Sequence, residues 1–305
     1  MSGPVEMSGP VTLKSITIKG KAPGPKLLIL GGVHGDEFES MWTIRRLKDA
    51  LDPDDLSGSV ILVPVVNEAA YWRGQRTAED GLDLARTCPG REDGTITERV
   101  AHAVSAMIRE ADYLIDLHSG GLISRFYPTV GYMLHPDAGV LETQREMAGA
   151  FNMPIVWGTY AGHDGRTLSI ARDARIPAIY SEWMGAGDCD PEGVEQYYEG
   201  CLNVMGVLGM IERDQPPSRI IHTVEDDREG AGHIQLNYPS PFSGFFEPWV
   251  ELMDRVAPGD VFGVVTDLLG DRREEIVCMQ SGHVLVLRTY NRVHEGETLA
   301  AVLEV

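Results

Sequence analysis

The chain has 305 residues, 43% hydrophobic content and a formal net charge of -20. That length supports a full core and two domains. A surface this acidic repels phosphate backbones and anionic lipid, which excludes nucleic acid and membrane as partners.

No apolar run approaches the roughly 18–20 residues that span a bilayer. The tandem start, Met1-Ser-Gly-Pro4 then Met7-Ser-Gly-Pro10, lacks the basic region and apolar stretch of a secretion signal. Cys88, Cys189, Cys201 and Cys278 form no C-x-x-C pair and no disulfide framework, which points to a reducing cytoplasm.

Residues 1–10 read as a disordered tail. Val11–Lys19 alternates in period two and reads as an edge strand. Lys26–Leu30 is a buried strand, followed by a loop carrying His34 and Glu37 and a helix over Ser40–Leu51. Ser59–Val66 is another apolar strand, ending at Asn67. Thr95 caps a predicted helix over Thr97–Glu110, whose Val100, Val104 and Ile108 recur every four residues. Tyr113–Leu117, Gly131–Leu134, Ile155–Trp157 and Ala178–Ser181 read as further strands. Helices are expected near Leu141–Phe151 and over Leu168–Arg175 and Asp190–Glu212.

The alternation predicts an α/β fold, a mixed, mostly parallel sheet flanked by helices. It extends over residues 11–213. Asp214-Gln-Pro-Pro-Ser218 reads as a linker, and 219–305 as a small all-β C-terminal domain. Two similar turns there, Val256-Ala-Pro-Gly-Asp260 and Val293-His-Glu-Gly-Glu297, suggest a quasi-repeat of barrel-sandwich type. No Met-Lys lipoylation or biotinylation site accompanies it, which argues against a carrier role. Exposed β edges in this region leave a homo-oligomer open.

In open α/β sheets, ligands gather beyond the carboxyl ends of the strands. His34, Asn67, His118 and Glu182 all fall at predicted strand ends. His34, Glu37 and His118 supply two nitrogens and one carboxylate to a zinc ion, one per chain, with a coordination position left open as in catalytic sites. Asp116 shares a strand face with His118 and is suited to accept the second N–H of its ring. Glu182, in Ile179-Tyr-Ser-Glu-Trp183, is placed to take a proton from water and hand it to a leaving amine. Arg73, Arg76 and Arg86 follow an apolar strand, and a guanidinium can bind a carboxylate or an oxyanion. His135, His163 and His294 are isolated and read as structural, although His163 lies in the loop Gly162-His-Asp-Gly165, within reach of a substrate.

Five ordered pieces resemble the succinylglutamate desuccinylase/aspartoacylase branch of the zinc carboxypeptidase-like proteins. They are Gly31-Gly-Val-His-Gly-Asp-Glu37, Asn67 with Arg76, Gly81-Leu-Asp-Leu-Ala-Arg-Thr-Cys-Pro-Gly90, Asp116-Leu-His-Ser-Gly120 and Ser181-Glu182. The resemblance runs from residue 26 to about 190, and the β-rich tail resembles the branch's C-terminal domain. It implies a central mixed sheet with an appended β domain, and His34, Glu37 and His118 as zinc ligands. It implies Glu182 as general base and then acid, and Arg76 as the group that polarises the scissile carbonyl. Arg86 holds a substrate carboxylate in this scheme, supported by Asn67 and Asp83. One departure stands out: Asp83-Leu-Ala-Arg86 has Ala85 where the family has asparagine, and Cys88 where an aromatic is frequent. This points to an unusual amino-acid derivative, or to a substrate without the usual α-carboxylate contact.

The expected function is hydrolysis of a small anionic N-acyl amino acid. The alternatives are a metallocarboxypeptidase acting on peptides and a non-catalytic metal- or metabolite-binding member.

Overall fold

Leu27 and Ile29 point to one face of a sheet, Leu28 and Leu30 to the other, and all four are fully buried. A strand covered on both faces reads as an unbroken apolar run, as Lys26–Leu30 does. The computed structural model describes residues 11–233 and 237–305; the expected tail over 1–10 lies outside them.

The first region contains β1 (Ile16–Lys19), β2 (Ala22–Leu30), α1 (Phe38–Ala50), β3 (Ser57–Val63), α2 (Glu68–Arg73), α3 (Ile96–Arg109), β4 (Tyr113–Leu117), β5 (Ser124–Phe126), β6 (Thr129–Met133), α4 (Ala138–Phe151), β7 (Ile155–Thr159), α5 (Thr167–Asp173), β8 (Ala178–Glu182), α6 (Pro191–Val207) and β9 (His222–Glu225). Eight of these strands form one sheet in the order β1-β3-β2-β4-β8-β6-β7-β9. The central neighbours β3, β2, β4 and β8 are parallel, whereas β1 runs antiparallel to β3 and β6 antiparallel to β8. The fold is therefore the mixed, mostly parallel α/β sheet expected.

One face of the sheet packs Leu27, Ile29, Leu62 and Ile115 against Ile44 and Leu47 of α1, Met147 and Phe151 of α4, and Tyr197 and Val204 of α6. The other packs Leu28, Leu30 and Leu114 against Val100, Val104 and Ile108 of α3 and Leu168 and Ala171 of α5. The α3 start is fixed by a reciprocal capping box, in which Thr95 Oγ1 accepts from the Glu98 amide and Glu98 accepts from the Thr95 amide.

Two boundaries differ most from expectation, the others shifting by four residues or fewer. The first strand begins at Ile16 rather than Val11, because its ladder starts at the Ile16–Leu62 pair. The last helix of the region ends at Val207 rather than Glu212, as Gly209 turns the chain with φ +68°.

The segment beyond residue 218 gives its first strand, β9, to the edge of the large sheet, parallel to β7. The rest forms β10 (Gly244–Pro248), β11 (Arg255–Val256), β12 (Val261–Thr266), β13 (Arg273–Val277), β14 (Gly282–Arg288), β15 (Arg292–Val293) and β16 (Ala300–Leu303). These make two antiparallel sheets around Phe246, Phe262, Val265, Val284 and Val302. The quasi-repeat is visible in hydrogen bonds. The Ala257 amide donates to Asp260 Oδ2 and the His294 amide to Glu297 Oε2, each at 2.8 Å. Strand β14 also pairs with β5, joining this region to a loop of the first one.

Candidate active site

His34, Asn67, His118 and Glu182 sit at the carboxyl ends of four adjacent parallel strands, β2, β3, β4 and β8. The β2–α1 loop presents His34 and Glu37. Ser40 fastens it, donating to the Glu37 carbonyl at 2.9 Å and accepting from the Gly32 amide at 3.2 Å. Gly35 lies against the backbone of α2 so closely that a Cβ there would fall 2.1 Å from the Ala70 carbonyl carbon. Asp36 Oδ2 accepts from the Leu122 amide at 2.9 Å, tying this loop to the one after β4. His118 opens that second loop, and its amide donates to the Ser181 carbonyl at 2.9 Å.

The three sequence-predicted ligands converge. His34 Nδ1 is 2.7 Å from Glu37 Oε1, His118 Nδ1 is 2.9 Å from Glu37 Oε2, and the two Nδ1 atoms are 3.3 Å apart. His34, Glu37 and His118 are all buried. The outer nitrogens are held by carboxylates: His34 Nε2 faces Asp83 Oδ1 at 3.1 Å, and His118 Nε2 faces Asp116 Oδ2 at 3.1 Å. A carboxylate only accepts, and each ring lies between two of them; with each Nε2 donating outward, a metal ion at the centre would take the place of the proton on Nδ1, which then turns a lone pair inward. Two imidazole nitrogens and two carboxylate oxygens face one another, an arrangement that favours positive charge, whether protons or a metal ion. Zinc with bonds of about 2.0–2.2 Å needs donors roughly 3.3 Å apart, so the donor set fits it.

The electrostatics agree. Burial alone would lower the His118 pKa, yet Asp116 and Glu37 outweigh it and raise the ring well above the usual histidine value. Burial alone would raise Glu37, but the two imidazoles hold it well below the usual carboxylate range. The cluster binds positive charge.

A cavity of about 340 Å³ opens beside it, lined by all three ligands together with Arg76, Arg86 and Glu182. Burial is the main cause that pushes the Glu182 carboxyl up to about 8. Arg76 donates to Asp83 Oδ2 through Nε at 3.2 Å and Nη2 at 3.0 Å, and its Nη1 lies 3.5 Å from Glu37 Oε1. Asn67 and Asp83 do not line the cavity. Asn67 caps α2, its Oδ1 accepting from the Ala70 amide at 3.2 Å, and Asp83 bridges His34 and Arg76. Arg73 turns to Gln75, away from the cavity. His163 meets the Ala231 carbonyl at 2.6 Å and the His233 ring instead of the cavity.

Several lining residues were not among the site residues expected from the sequence: Arg166, Thr167 and Tyr180, and, from the C-terminal region, Val286, Arg288 and Glu297. Thr167 Oγ1 donates to Asp116 Oδ2, extending the chain of contacts behind His118. Arg288 is 1% exposed, and its Nη2 lies 2.9 Å from Glu297 Oε2.

A His-Glu-His cluster beside a half-buried acid, at the carboxyl ends of a mostly parallel sheet, marks the chain as a hydrolase. The succinylglutamate desuccinylase/aspartoacylase catalytic domain matches residues 23–208, and the chain belongs to this family of amide-bond hydrolases. Over 297 residues it is 29% identical to the N-alpha-acetyl-L-2,4-diaminobutyric acid deacetylase of Halomonas elongata, covering 95% of this chain and 85% of that one. The product-bound ectoine utilization protein EutE (DoeB) of Ruegeria pomeroyi superposes with a TM-score of 0.86 at 25% identity, covering 97% of this chain and 89% of that one. A succinylglutamate desuccinylase/aspartoacylase of Rhodobacter sphaeroides gives 0.84 at 26% identity, covering 96% and 90%. Among the described residues, no helix is long and apolar enough to cross a membrane.

Proposed function

We propose that this chain is a zinc-dependent deacylase that hydrolyses the amide bond of a small N-acyl amino acid. The observation that carries the reading is the convergence of the His34–Glu37–His118 cluster, Glu182, Arg76 and Arg86 on one cavity. The Halomonas relative, named for its action on an N-acetylated diamino acid, supports a short acyl group and an amino-acid leaving group. The wall built by Val286, Arg288 and Glu297 favours a small substrate over a peptide.

His34, Glu37 and His118 would hold the zinc, which supplies Lewis acidity for the acyl carbonyl and for water. Asp83 and Asp116 keep each ring in the tautomer that turns Nδ1 inward. Glu182 takes the proton from the attacking water and returns it to the amine nitrogen as the C–N bond breaks. Its raised pKa suits a group that must both accept and donate near neutral pH. Arg76 faces the oxyanion that forms on the carbonyl, a contact worth about 3–4 kcal/mol in comparable sites. Arg86 holds the carboxylate of the amino acid. Residues 11–213 form the hydrolase domain in this reading, with 219–305 as its β-rich companion. The free thiols support a cytoplasmic location.

The test is amine release from N-acetyl amino acids and N-acetyl tripeptides by the zinc-loaded protein. Hydrolysis of the first set alone is expected. Stoichiometric zinc with no turnover across a panel of N-acyl amino acids would overturn the reading.

A further inference from the structure

One stripe of α6 reaches the residues of the site from outside the cavity. Asp190, Gly193 and Tyr197 are spaced by three and then four positions, so they share a helix face, and none of them lines the cavity. Asp190 caps the helix. Its Oδ2 accepts from Trp183 Nε1 at 2.8 Å, and its amide donates to Glu39 Oε1 at 3.2 Å. Trp183 follows Glu182 directly, and Glu39 stands two residues after Glu37. Gly193 lies so close to the Trp183 ring that a Cβ there would fall 2.5 Å from Cδ1. Tyr197 donates its hydroxyl to the His118 carbonyl.

The last of these contacts touches a ligand of the cluster. The His118 amide continues the β4–β8 ladder, donating to the Ser181 carbonyl at 2.9 Å. The His118 carbonyl takes the phenol of α6 instead of a backbone amide. Tyr197 is fully buried, and its ring packs against Phe151 and Trp183 with centroids 6.0 and 6.2 Å away, which holds the hydroxyl in place. The His118 backbone is thus gripped by β8 on one side and α6 on the other, while Asp116 grips its ring. Without the phenol, a buried carbonyl loses its donor and the peptide turns to find another. The imidazole hangs from the same Cα and turns with it. Zinc bonds of about 2.0–2.2 Å leave little tolerance for that movement.

We infer that Tyr197 is a positioning residue for the metal centre: acting through the His118 backbone from outside the cavity, it sets the zinc affinity of the cluster. The inference deepens the proposed function and rests on its zinc reading, not on the identity of the substrate.

The experiment compares wild type, Tyr197→Phe and Val204→Ala. Zinc affinity is read by competition with a chromophoric chelator, and ligand geometry by the visible d–d spectrum of the cobalt(II)-loaded protein. Phenylalanine keeps the ring and its packing and deletes only the donor. Val204, further along α6, is fully buried in the same core and has no polar side-chain atom, so its truncation loosens the helix without touching His118. Tyr197→Phe is expected to raise the zinc Kd about 10-fold, as loss of a partner behind a ligand does, and to shift the cobalt bands. Val204→Ala should lower the thermal midpoint of the metal-free protein at least as far, yet keep the wild-type Kd and bands. A Tyr197→Phe protein with the wild-type Kd and cobalt spectrum would overturn the inference. So would equal affinity losses in the two variants, which a general loosening of α6 explains. A wild type that takes up no stoichiometric zinc would remove the metal reading itself, and the inference with it.

Discussion

The Nδ1 atoms of His34 and His118 lie 3.3 Å apart, and each faces a different oxygen of Glu37. Two imidazole nitrogens and a carboxylate gathered in a buried setting make the folded protein a receptor for positive charge, and the unfolded chain offers no such arrangement. Zinc is therefore expected to stabilise the fold by mass action, about 2.7 kcal/mol at a free concentration one hundred times Kd. Thermal unfolding with and without zinc measures the shift. His118→Ala should abolish both the shift and stoichiometric zinc; a variant that kept its zinc would remove His118 from the ligand set.

Asp116 does not belong to that trio, yet it decides which nitrogen of His118 faces inward. Asp116→Asn replaces an acceptor by a group that can also donate, so the ring loses its fixed tautomer. Zinc affinity is expected to fall about 10–100-fold, as is usual when such a partner is lost. Competition with a chromophoric chelator reads this directly, and an unchanged Kd would show that His118 is oriented by other contacts.

His34, Asn67, His118 and Glu182 were legible in the sequence because each closes an apolar run, and period and strand ends are local information. The convergence of His34, His118 and Glu182 on one cavity followed once the runs were read as neighbours in a parallel sheet. Arg166 was not legible: it follows a glycine in a polar loop, and nothing in its neighbours signals that its Nε is buried. Arg288 and Glu297 reach the cavity wall because β14 pairs with β5, a long-range contact with no local signature. The same holds for β9, whose short half-buried pattern does not say which sheet it joins. Asn67 and Asp83 show the converse. The resemblance places them beside the substrate, while their contacts are with the α2 amide, His34 and Arg76.

Gly35 makes a sharper test of the loop geometry. A Cβ at this position would stand 2.1 Å from the Ala70 carbonyl carbon, and the obstacle is backbone, which cannot rotate away. Gly35→Ala must therefore push the His34–Glu37 loop off α2. A loss of about 2–3 kcal/mol is expected, typical of overpacking, together with weaker zinc binding. Gly149, inside α4, has nothing within 4 Å of its added Cβ. Gly149→Ala should instead stabilise by about 0.5–1 kcal/mol through the entropy of the unfolded chain. Denaturant titration of both variants checks the contrast; equal effects would mean that the loop is not wedged against α2.

Glu182 links the proposed chemistry to stability. In the metal-free fold, burial is the main cause that raises its carboxyl from the usual 4.5 to about 8. Below pH 4.5 both folded and unfolded chains hold the proton, and the side chain imposes no penalty. Between 4.5 and about 8 the unfolded chain ionises while the folded one retains its proton, so stability is progressively lost as pH rises; above 8 the penalty is constant. At about 1.4 kcal/mol per unit the shift sets a ceiling of roughly 5 kcal/mol. The side chain keeps some solvent contact, which reduces the expected penalty to about 2–3 kcal/mol. Glu182→Gln removes the titrating group. The metal-free variant should gain stability relative to wild type as pH rises from 4.5 to 8, and zinc should shrink that gain, because a nearby cation favours the ionised carboxylate. The zinc-loaded variant should keep its metal and lose about 10²–10⁴-fold in kcat. A stability difference independent of pH would mean that Glu182 is already ionised in the metal-free cavity, and its role as the proton carrier would need another basis.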